Sequence, residues 1–327
     1  MPPIRVSCRL ARPNGHDLSL DCFEPPLAPD VAQGITGQVR AHLNEEFLDG
    51  ICRGEHSPEA AFRVCAGRAD GRVIGTAWCG WGRDLPHIAV VGGVTTAEAF
   101  RGMGVASALM GMLCDQFQEA GGRLLYLATA NPAARRIYER IGFRQVVGQV
   151  LCRAFHGAEL NEGFAARGPL TARDVSPRHI AALLPLYMAP HPCALLDAGM
   201  PFPSTRLAGP WRCVRIFWDT WAATQQGGRW RVVENSAGWP VASAIARPAN
   251  AEGFLVDFLS LPRYSKTVVP FFEQFLERLG ASAEWRIADN DEWKAQLAPR
   301  LGFRDAGPAG TVDVEGRRFN LQRYVRG

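Results

Sequence analysis

The sequence predicts an α+β protein built from two tandem domains. Short apolar runs that are typical of strands alternate with stretches whose apolar residues recur at helical spacing. The second half of the chain repeats the pattern of the first half, and residues 157–169 form a polar, glycine-containing connector. We therefore expect one domain at residues 1–156 and a second at residues 170–327.

Composition narrows the class of protein. The chain has 327 residues, of which 47% are hydrophobic, and this is enough for two packed cores. It has no run of 18 apolar residues and no signal pattern at its start, so we expect no membrane span. The net charge of +4 without a basic block gives no case for nucleic acid.

The nine cysteines are scattered, without a Cys-x-x-Cys pair or a histidine cluster beside them. This pattern argues against a disulfide framework and against a zinc site. We therefore expect a reducing, cytoplasmic environment and no metal.

The elements before the centre of the first half can be placed from local pattern. A first strand is expected near residues 4–10 or 18–23, and one apolar stripe predicts a helix from residue 29 to residue 50. Asp70-Gly71 predicts a hairpin turn between two strands. The following elements are predicted in order: strands at 61–65 and 73–78, a turn at 83–86, and a buried strand at 88–94.

A glycine motif joins that buried strand to a helix. Residues 101–104 read Arg-Gly-Met-Gly, and apolar residues then recur at helical spacing from Val105 to Phe117. The first N–H groups of a helix lack partners, the helix dipole is positive there, and glycine lets a ligand approach the backbone. The motif therefore predicts a diphosphate site with Arg101 as a flanking cation. A tight strand–helix turn without a ligand is the alternative.

A second motif follows the next predicted strand, at residues 124–130. Asn131 and Pro132 open a helical stretch that contains Tyr138, and Ile-Gly-Phe at residues 141–143 ends it. Asparagine and proline are typical of the cap and the first turn of a helix. Residues 144–155 are then expected to close the module as a strand.

The two motifs together resemble the signatures of the GNAT superfamily of acyl-CoA N-acyltransferases. The first signature is Arg101-x-x-Gly104-x-Ala106, and the second is Asn131-x6-Tyr138 followed by Ile-Gly-Phe. The resemblance covers residues 1–155. It implies a central, mostly antiparallel twisted sheet flanked by helices, and acetyl-CoA or another acyl-CoA as cosubstrate.

The resemblance also implies roles for individual residues. The pantetheine arm of the cosubstrate is expected to pair with the main chain of residues 94–96, and Asn131 to contact that arm while capping its helix. Tyr138 stands at the position of the family's general acid, with a packed aromatic residue as the alternative. The residues implied in cosubstrate binding are Val94, Thr95, Thr96, Arg101, Gly102, Met103, Gly104, Val105, Ala106, Ser107, Asn131 and Tyr138.

The general base is less clearly indicated. A base or a chain of waters is useful because a free amine, with a pKa near about 10, is mostly charged at neutral pH. Glu45 and Glu46 are the leading candidates, since they lie late in the predicted helix of the substrate-binding segment. The other candidates are Asp84, His87, Glu98 and ordered water.

The second half begins with a predicted helix at residues 175–187. Residues 212–218 are then expected to form a strand, and residues 268–279 an amphipathic helix. A cluster of tryptophans in this half predicts a packed core or a substrate cavity. The other predicted strands lie at 229–234, 240–246, 253–259 and 283–288.

Short matches align this half with the first. Ile-Gly-Phe-Arg at residues 141–144 recurs as Leu-Gly-Phe-Arg at residues 301–304, and Asn131 falls opposite Asp291. Residues 259–264 fall opposite the glycine motif but lack both glycines, and Ala298 falls opposite Tyr138. We therefore expect a degenerate second GNAT-like domain that does not bind the cosubstrate.

The leading functional hypothesis is a cytoplasmic N-acetyltransferase that acts on the amine of a small molecule by direct transfer, as a monomer or a homodimer. The tandem arrangement resembles that of small-molecule acetyltransferases. The alternatives are a GNAT-fold acyl-CoA decarboxylase, a carrier-protein acyltransferase, and a non-catalytic acyl-CoA-binding protein.

Overall fold

The computed structural model describes residues 5–9, 18–39, 45–188, 213–250, 253–314 and 317–327. The chain divides into two compact units. The first comprises Met1–Glu159 and Pro177–Ala182, and the second comprises Leu160–Ser176 and Leu183–Gly327. The domain limits at residues 156 and 170 remain predictions, because the predicted connector is divided between the two units.

The first unit contains an eight-stranded sheet, with the strand order β1-β2-β3-β4-β5-β6-β8-β7. All neighbouring strands are antiparallel except β5 and β6, which are parallel. Both alternatives for the first strand form strands. The strands are β1 (Arg5–Arg9), β2 (Leu18–Phe23), β3 (Ala60–Ala69), β4 (Arg72–Gly82), β5 (Leu85–Thr96), β6 (Leu124–Ala128), β7 (Arg144–Val147) and β8 (Val150–Ala154).

Four α-helices accompany this sheet: α1 (Pro29–Val39), α2 (Glu45–Arg53), α3 (Val105–Glu119) and α4 (Pro132–Arg140). The helix predicted from residue 29 to residue 50 corresponds to α1 and α2, and residues 40–44 between them lie outside the described part of the chain. The predicted end at Gly50 was wrong, because α2 continues to Arg53. Gly50 lies inside α2, where a glycine costs only about 1 kcal/mol. The left-handed Gly54, with φ of 74°, follows the end of that helix instead.

The hairpins of the first unit follow local sequence closely. Asp70 and Gly71 have φ of 49° and 79°, as a two-residue turn with two left-handed positions requires. The turn predicted at 83–86 is shorter, because Leu85 already begins β5. The single closing strand predicted at 144–155 is a hairpin of β7 and β8, which turns at Gly148 with φ of 52°.

One core cluster of the first unit lies between the sheet and the pair α3 and α4. Leu109, Leu113 and Phe117 of α3 are fully buried against it. Ala77, Cys79 and Trp81 of β4 belong to the same cluster. Since side chains alternate along a strand, Trp78 lies on the opposite face of the sheet, where Phe47 of α2 contacts it.

The second unit contains a seven-stranded sheet with the order β9-β10-β11-β12-β13-β15-β14. Its helices are α5 (Leu184–Met188), α6 (Cys213–Gln225), α7 (Val269–Leu279) and α8 (Glu292–Arg300). Its strands are β9 (Thr171–Asp174), β10 (Arg229–Glu234), β11 (Pro240–Asn250), β12 (Gly253–Ser260), β13 (Ser282–Ala288), β14 (Arg304–Val314) and β15 (Arg317–Arg326).

Two predictions in the second half were wrong. Of the strand predicted at 212–218, residues 213–218 belong to α6, because Val214, Phe217 and Trp221 recur at helical spacing. Residue 212 lies outside the described residues. The helix predicted at 175–187 is broken into a 3-10 turn at Pro177–His179 and the short α5. Each of these two short elements contains a proline, which lacks the N–H that a longer helix would use.

The internal repeat is confirmed by the topology. The order β9-β10-β11-β12-β13-β15-β14 matches β2-β3-β4-β5-β6-β8-β7, and the pair β12 and β13 is parallel, as β5 and β6 are. Asn131 caps α4 and Asp291 caps α8 through their side chains. Gly142 and Gly302 follow these helices with φ of 97° and 80°. The fold is therefore α+β, with two similar sheet-and-helix units in tandem.

Among the described residues, no helix is long and apolar enough to cross a membrane. The same part of the chain contains no group of three or more metal-ligating side chains that could hold an ion.

Candidate functional site

A gap opens in the first sheet where β5 and β6 diverge. The parallel ladder joins only residues 88–90 to residues 124–126. Strand β5 continues through residues 91–96 and β6 through residues 127–128 without further pairing between them. We call the space between these two unpaired ends the strand gap. Its β5 side offers main-chain groups to an extended ligand.

A β-bulge in β5 accompanies the divergence. Trp78 pairs with Gly92 and Thr76 with Thr95, so that β5 has one residue more than β4 in this interval. Gly93 adopts the left-handed region with φ of 59°. A bulge bends its strand and raises the local twist, which accounts for the departure of β5 from β6.

The glycine loop, residues 101–104, stands at the open end of the gap. Gly102 and Gly104 have φ of 81° and 80°, and a Cβ at either position would meet nothing within 4 Å. The glycines therefore serve the backbone conformation and leave room for a ligand. Arg101 is exposed, and its Nε donates to the carbonyl of Thr96 over 3.4 Å.

The start of α3 is suited to an anion. Gly104 is the N-cap and supplies no side-chain cap, so the N–H groups of Val105, Ala106 and Ser107 are not satisfied by a capping side chain. Met103 packs against the core of the first unit. The uncapped N–H groups, the open glycines and the exposed Arg101 fit a diphosphate.

The predicted β5 residues line this approach. The hydroxyls of Thr76 and Thr95 are 2.9 Å apart, and the Thr76 hydroxyl donates to the carbonyl of Gly93 over 2.8 Å. Val94 packs on the core. The Thr96 hydroxyl is buried and has no hydrogen-bond partner in the described part of the chain.

Asn131 and Tyr138 lie on α4, which follows β6 across the gap. The Asn131 Oδ1 accepts hydrogen bonds from the N–H groups of Ala133 at 2.9 Å and Ala134 at 3.4 Å, which confirms the predicted cap. The Tyr138 ring is buried and lies against Phe143, with the ring centroids 6.0 Å apart. The two predicted residues therefore belong to the cap and the helix that follow β6, the second strand of the gap.

Burial raises the pKa of the Tyr138 hydroxyl to about 12. The group therefore stays protonated at neutral pH, which is the form that a proton donor needs. Because its pKa lies further above neutral pH than that of an ordinary phenol, it is also a weaker proton donor.

The candidate bases differ in their position and exposure in the first unit. The side chains of Glu45 and Glu46 lie outside the described residues, although their backbone opens α2 rather than lying late in a longer helix. Glu98 is exposed. His87 is also exposed and lies nine residues before Thr96 along β5, roughly 30 Å at the rise of a strand.

Asp84 is engaged elsewhere. Its carboxylate forms an ion pair of 2.8 Å with Arg178. Partial burial raises its pKa, but the hydrogen bond and the charge of Arg178 outweigh that effect and leave the pKa below its ordinary value. Asp84 and His87 therefore lie away from the gap, at the opposite end of β5.

The structure adds an aromatic group that the sequence analysis did not single out. Trp78 contacts Phe47 and Phe62 edge-on, at centroid distances of 5.8 and 6.2 Å. His56 stacks on Phe47 at 6.3 Å, and its pKa is lowered by burial. The pairing of residue 78 with residue 92, which brings Trp78 to the gap, is set by strand register and has no local sequence signal.

Unsatisfied polar atoms collect around the gap. The Trp78 Nε1, the Thr96 Oγ1 and the Gln149 Oε1 are buried without hydrogen-bond partners among the described residues. Gln149 adjoins the end of β6, because its carbonyl accepts from the Thr129 N–H at 3.1 Å. Buried polar atoms are rarely left without partners, so their position here fits a polar ligand in the gap.

In the described part of the second unit, the segment that corresponds to the glycine loop has no glycine. The N–H of Leu261 donates to Val241 as that of Ala97 does to Ile74, and a 3-10 turn follows in both units. Residues 265–268 therefore stand opposite the glycine loop, rather than the predicted residues 259–264. Val268, at the N-cap of α7, has φ of −86° where Gly104 has 80°.

A buried ion pair stands where the second sheet would open. The ladder of β12 and β13 ends at Val256, and the next residue, Asp257, accepts hydrogen bonds from Lys294 Nζ at 2.6 and 2.9 Å. The Trp285 Nε1 donates to the same carboxylate at 2.8 Å. Ala298, at the position of Tyr138, is fully buried. The predicted loss of the glycines and of the tyrosine hydroxyl thus holds with a corrected alignment.

One family model matches part of the chain. Residues 33–143 match the model of the family described as "Acetyltransferase (GNAT) family". The matched residues include the strand gap, the glycine loop, the start of α3, Asn131 and Tyr138. The match supports acyltransferase activity in the first unit. No curated protein matches the sequence.

Solved structures that resemble the chain include N-acetyltransferases. The spermidine N-acetyltransferase of Vibrio cholerae in complex with CoA and spermine is 12% identical; the match covers 48% of this chain and 94% of that chain, with a TM-score of 0.37. A protein assigned as a phosphinothricin N-acetyltransferase is 18% identical, with 48% and 98% covered and a TM-score of 0.36. A chimera of the Vibrio cholerae enzyme SpeG and hSSAT is 12% identical, with 49% and 96% covered and a TM-score of 0.37.

Proposed function

We propose that the chain is an N-acyltransferase that moves the acetyl group of acetyl-CoA directly to the amine of a small molecule, since residues 33–143 match the model of the "Acetyltransferase (GNAT) family". The observation that carries the proposal is the strand gap leading to an uncapped helix start. This arrangement can hold an extended arm at one end and a diphosphate at the other.

The residues have separate tasks in binding. The N–H groups from Gly102 to Ser107 hold the diphosphate, with Arg101 as a flanking cation. The main chain of Val94, Thr95 and Thr96 pairs with the pantetheine arm. The unsatisfied Thr96 hydroxyl is available to a polar group of that arm. Asn131 keeps the first turn of α4 in place beside the gap.

In the transfer, the thioester supplies an activated acyl carbon. The neutral amine nitrogen of the acceptor attacks this carbon, the C–N bond forms, and the C–S bond breaks as the tetrahedral intermediate collapses. Tyr138 donates its phenolic proton to the departing sulfur, and the amine proton passes to a base. Solvent then returns a proton to Tyr138, so that the net products are an amide and a free thiol.

For the base, Glu45 and Glu46 remain the proposed residues, with an ordered water as the alternative. Asp84 is a poor candidate because Arg178 holds its carboxylate. His87 is a poor candidate because it lies at the opposite end of β5.

The second unit has a structural task in this proposal and binds no acyl-CoA. Its glycine-free loop and the buried pair Asp257 and Lys294 support this assignment. A cytoplasmic location, and a monomeric or homodimeric state, remain predictions from the sequence.

The test is a calorimetric titration of the full chain with acetyl-CoA, followed by a free-thiol assay over a panel of small amines. We expect one acetyl-CoA per chain and amine-dependent thiol release. Tyr138→Phe should lower kcat while the affinity for acetyl-CoA stays within twofold.

Other outcomes would refute parts of the proposal. Two molecules bound per chain would refute the assignment of the second unit. Binding without thiol release from any amine would favour an acyl-CoA-binding protein. Thiol or carbon dioxide release from malonyl-CoA without an amine would favour the decarboxylase alternative.

A further inference from the structure

The strand gap has one open end and one closed end, and its length therefore limits the length of the ligand that it can hold. The glycine loop marks the open end, and the ladder pair of Val90 and Tyr126 marks the closed end. The β5 residues from 91 to 96 span roughly 17 Å at the rise of a strand. If the proposed function holds, a cosubstrate anchored at the glycine loop carries its acyl group toward the closed end.

Trp78 stands at this closed end. It pairs with Gly92, which lies two residues past Val90, the last residue of β5 that pairs with β6. A Cβ built on Gly92 would lie 2.3 Å from Cζ2 of the Trp78 ring, so the indole lies directly against the Gly92 backbone. Only 1% of Trp78 is exposed. The indole therefore lies over the β5 backbone at Gly92, on the face of the sheet opposite the α3 core and beside the closed end of the gap.

Neighbouring side chains hold this indole in place. Phe47 and Phe62 pack edge-on against it, at 5.8 and 6.2 Å between ring centroids. A Cβ on Gly80 would lie 2.6 Å from the ring of Phe62, so this second ring is also pressed against the strand. Phe47 of α2 and Phe62 of β3 therefore restrict the rotation of the indole.

The other face of the sheet is closed as well. Ala89, Val91 and Leu127 belong to the buried core beneath α3 and α4. An acyl chain that extended beyond the thioester would therefore meet the core on one side, the indole on the other, and the β5–β6 ladder ahead.

A second observation at Trp78 points to a ligand. Its Nε1 is buried and has no hydrogen-bond partner among the described residues. A buried indole N–H usually has an acceptor, and leaving it without one costs about 1–3 kcal/mol. A thioester carbonyl at the closed end would provide the missing acceptor.

We propose that Trp78 determines acyl-chain specificity, because its indole closes the strand gap so that only a short acyl group fits. The proposal rests on the function proposed above and adds a selectivity to it. The ligand class is a thioester of CoA with a short, unbranched acyl chain. Longer chains are rejected by the ring and not by the glycine loop.

The experiment compares acetyl-CoA with hexanoyl-CoA by calorimetric titration of the full chain and by the free-thiol assay. Wild-type protein should bind acetyl-CoA at least tenfold more tightly than hexanoyl-CoA. Trp78→Ala should change this ratio at least tenfold in favour of hexanoyl-CoA, because each buried methylene adds apolar stabilisation. Trp78→Phe, which keeps a ring and removes the donor, should keep the preference and weaken acetyl-CoA binding two- to tenfold.

Trp81→Ala is the matched control. Trp81 is also a buried tryptophan of β4, but it lies on the other face and packs against Phe117 at 5.5 Å. It should leave the hexanoyl-to-acetyl ratio within twofold of the wild-type value. Trp78→Leu replaces the alanine variant if the latter does not fold, and its ratio should move in the same direction.

The outcomes separate the two proposals. If wild-type protein binds neither thioester, the function proposed above fails and this inference falls with it. If it binds acetyl-CoA but the ratio does not change in Trp78→Ala or Trp78→Leu, the function stands and the role of Trp78 is refuted. Equal wild-type binding of the two thioesters would also refute it.

Discussion

The buried ion pair of the second unit offers a sharp test of the structure. Lys294 lies on α8 and reaches Asp257 at the end of the β12 ladder, with distances of 2.6 and 2.9 Å from Nζ to the two carboxylate oxygens. Lys294 is 2% exposed and Asp257 5% exposed, so water contributes little to either charge. We predict that Lys294→Met destabilises the second unit strongly.

The magnitude follows from the partners that remain. Removing one member of a buried ion pair costs about 3–5 kcal/mol, because the other charge stays buried without compensation. The Trp285 Nε1 and the Phe258 N–H would still donate to Asp257, each at 2.8 Å. We therefore expect the lower part of that range, about 3 kcal/mol, which corresponds to a Tm lower by about 6–12 °C in a unit of this size.

The assay is urea unfolding followed by intrinsic fluorescence, with Lys266→Met as the control. Lys266 belongs to the same unit and is exposed, so its replacement should change the free energy of unfolding by less than about 0.5 kcal/mol.

The Asp291 carboxylate is also buried and lies 3.9 Å from Lys294 Nζ. The triple variant Asp257→Asn, Asp291→Asn and Lys294→Met therefore removes all three charges and keeps an oxygen for Trp285 and for the cap of α8. It should return to within about 1–2 kcal/mol of wild type. A single Lys294→Met variant as stable as wild type would refute the buried ion pair.

Three further predictions concern the first unit. Gly104→Ala should weaken acetyl-CoA binding at least tenfold and cost about 1–2 kcal/mol of stability, since an L-residue is strained at φ of 80°. The control is Gly121→Ala, with φ of 84° and equally open surroundings. It should show the same loss of stability in urea unfolding but unchanged acetyl-CoA binding, and equal losses of binding in the two variants would contradict the reasoning. Asn131→Ala should lower the free energy of unfolding by about 1 kcal/mol, and Asn131→Asp should restore it, because the Asn131 Oδ1 caps α4. An Asn131→Ala variant with an unchanged free energy of unfolding would argue against the cap. The pKa of Tyr138 is raised to about 12 from 10.0, so the folded state loses stability as the pH rises from 10 to 12. Wild type should lose about 2 kcal/mol more than Tyr138→Phe over this window in urea titrations, and parallel curves would contradict the burial of the hydroxyl.

Much of the fold could be read from the sequence because it depends on local signals. Asp70-Gly71 predicted its hairpin through backbone conformations that few other residues adopt. Asn131 predicted its cap through the reach of its own side chain. The short matches at corresponding helix ends predicted two domains of similar architecture, and the two sheets share a strand order.

The wrong predictions arose where one pattern serves two structures. The apolar run at 212–218 contains β-branched and aromatic residues, which favour strands, yet their spacing also fits one face of α6. The stripe from residue 29 to residue 50 passes through two helices. The degenerate loop was misplaced by a few residues, because β12 ends at Ser260 and has no counterpart of the bulge at Gly93.

The sequence by itself determined most of the elements and the tandem repeat, and it located the glycine loop, since each depends on residues near one another in the chain. Only the tertiary structure decided where β5 leaves β6, which face Trp78 takes, and that Lys294 reaches Asp257. These features depend on strand register and on contacts between distant segments. A single-residue bulge shifts the register without a fixed sequence signal, so local pattern could not place the indole against Gly92.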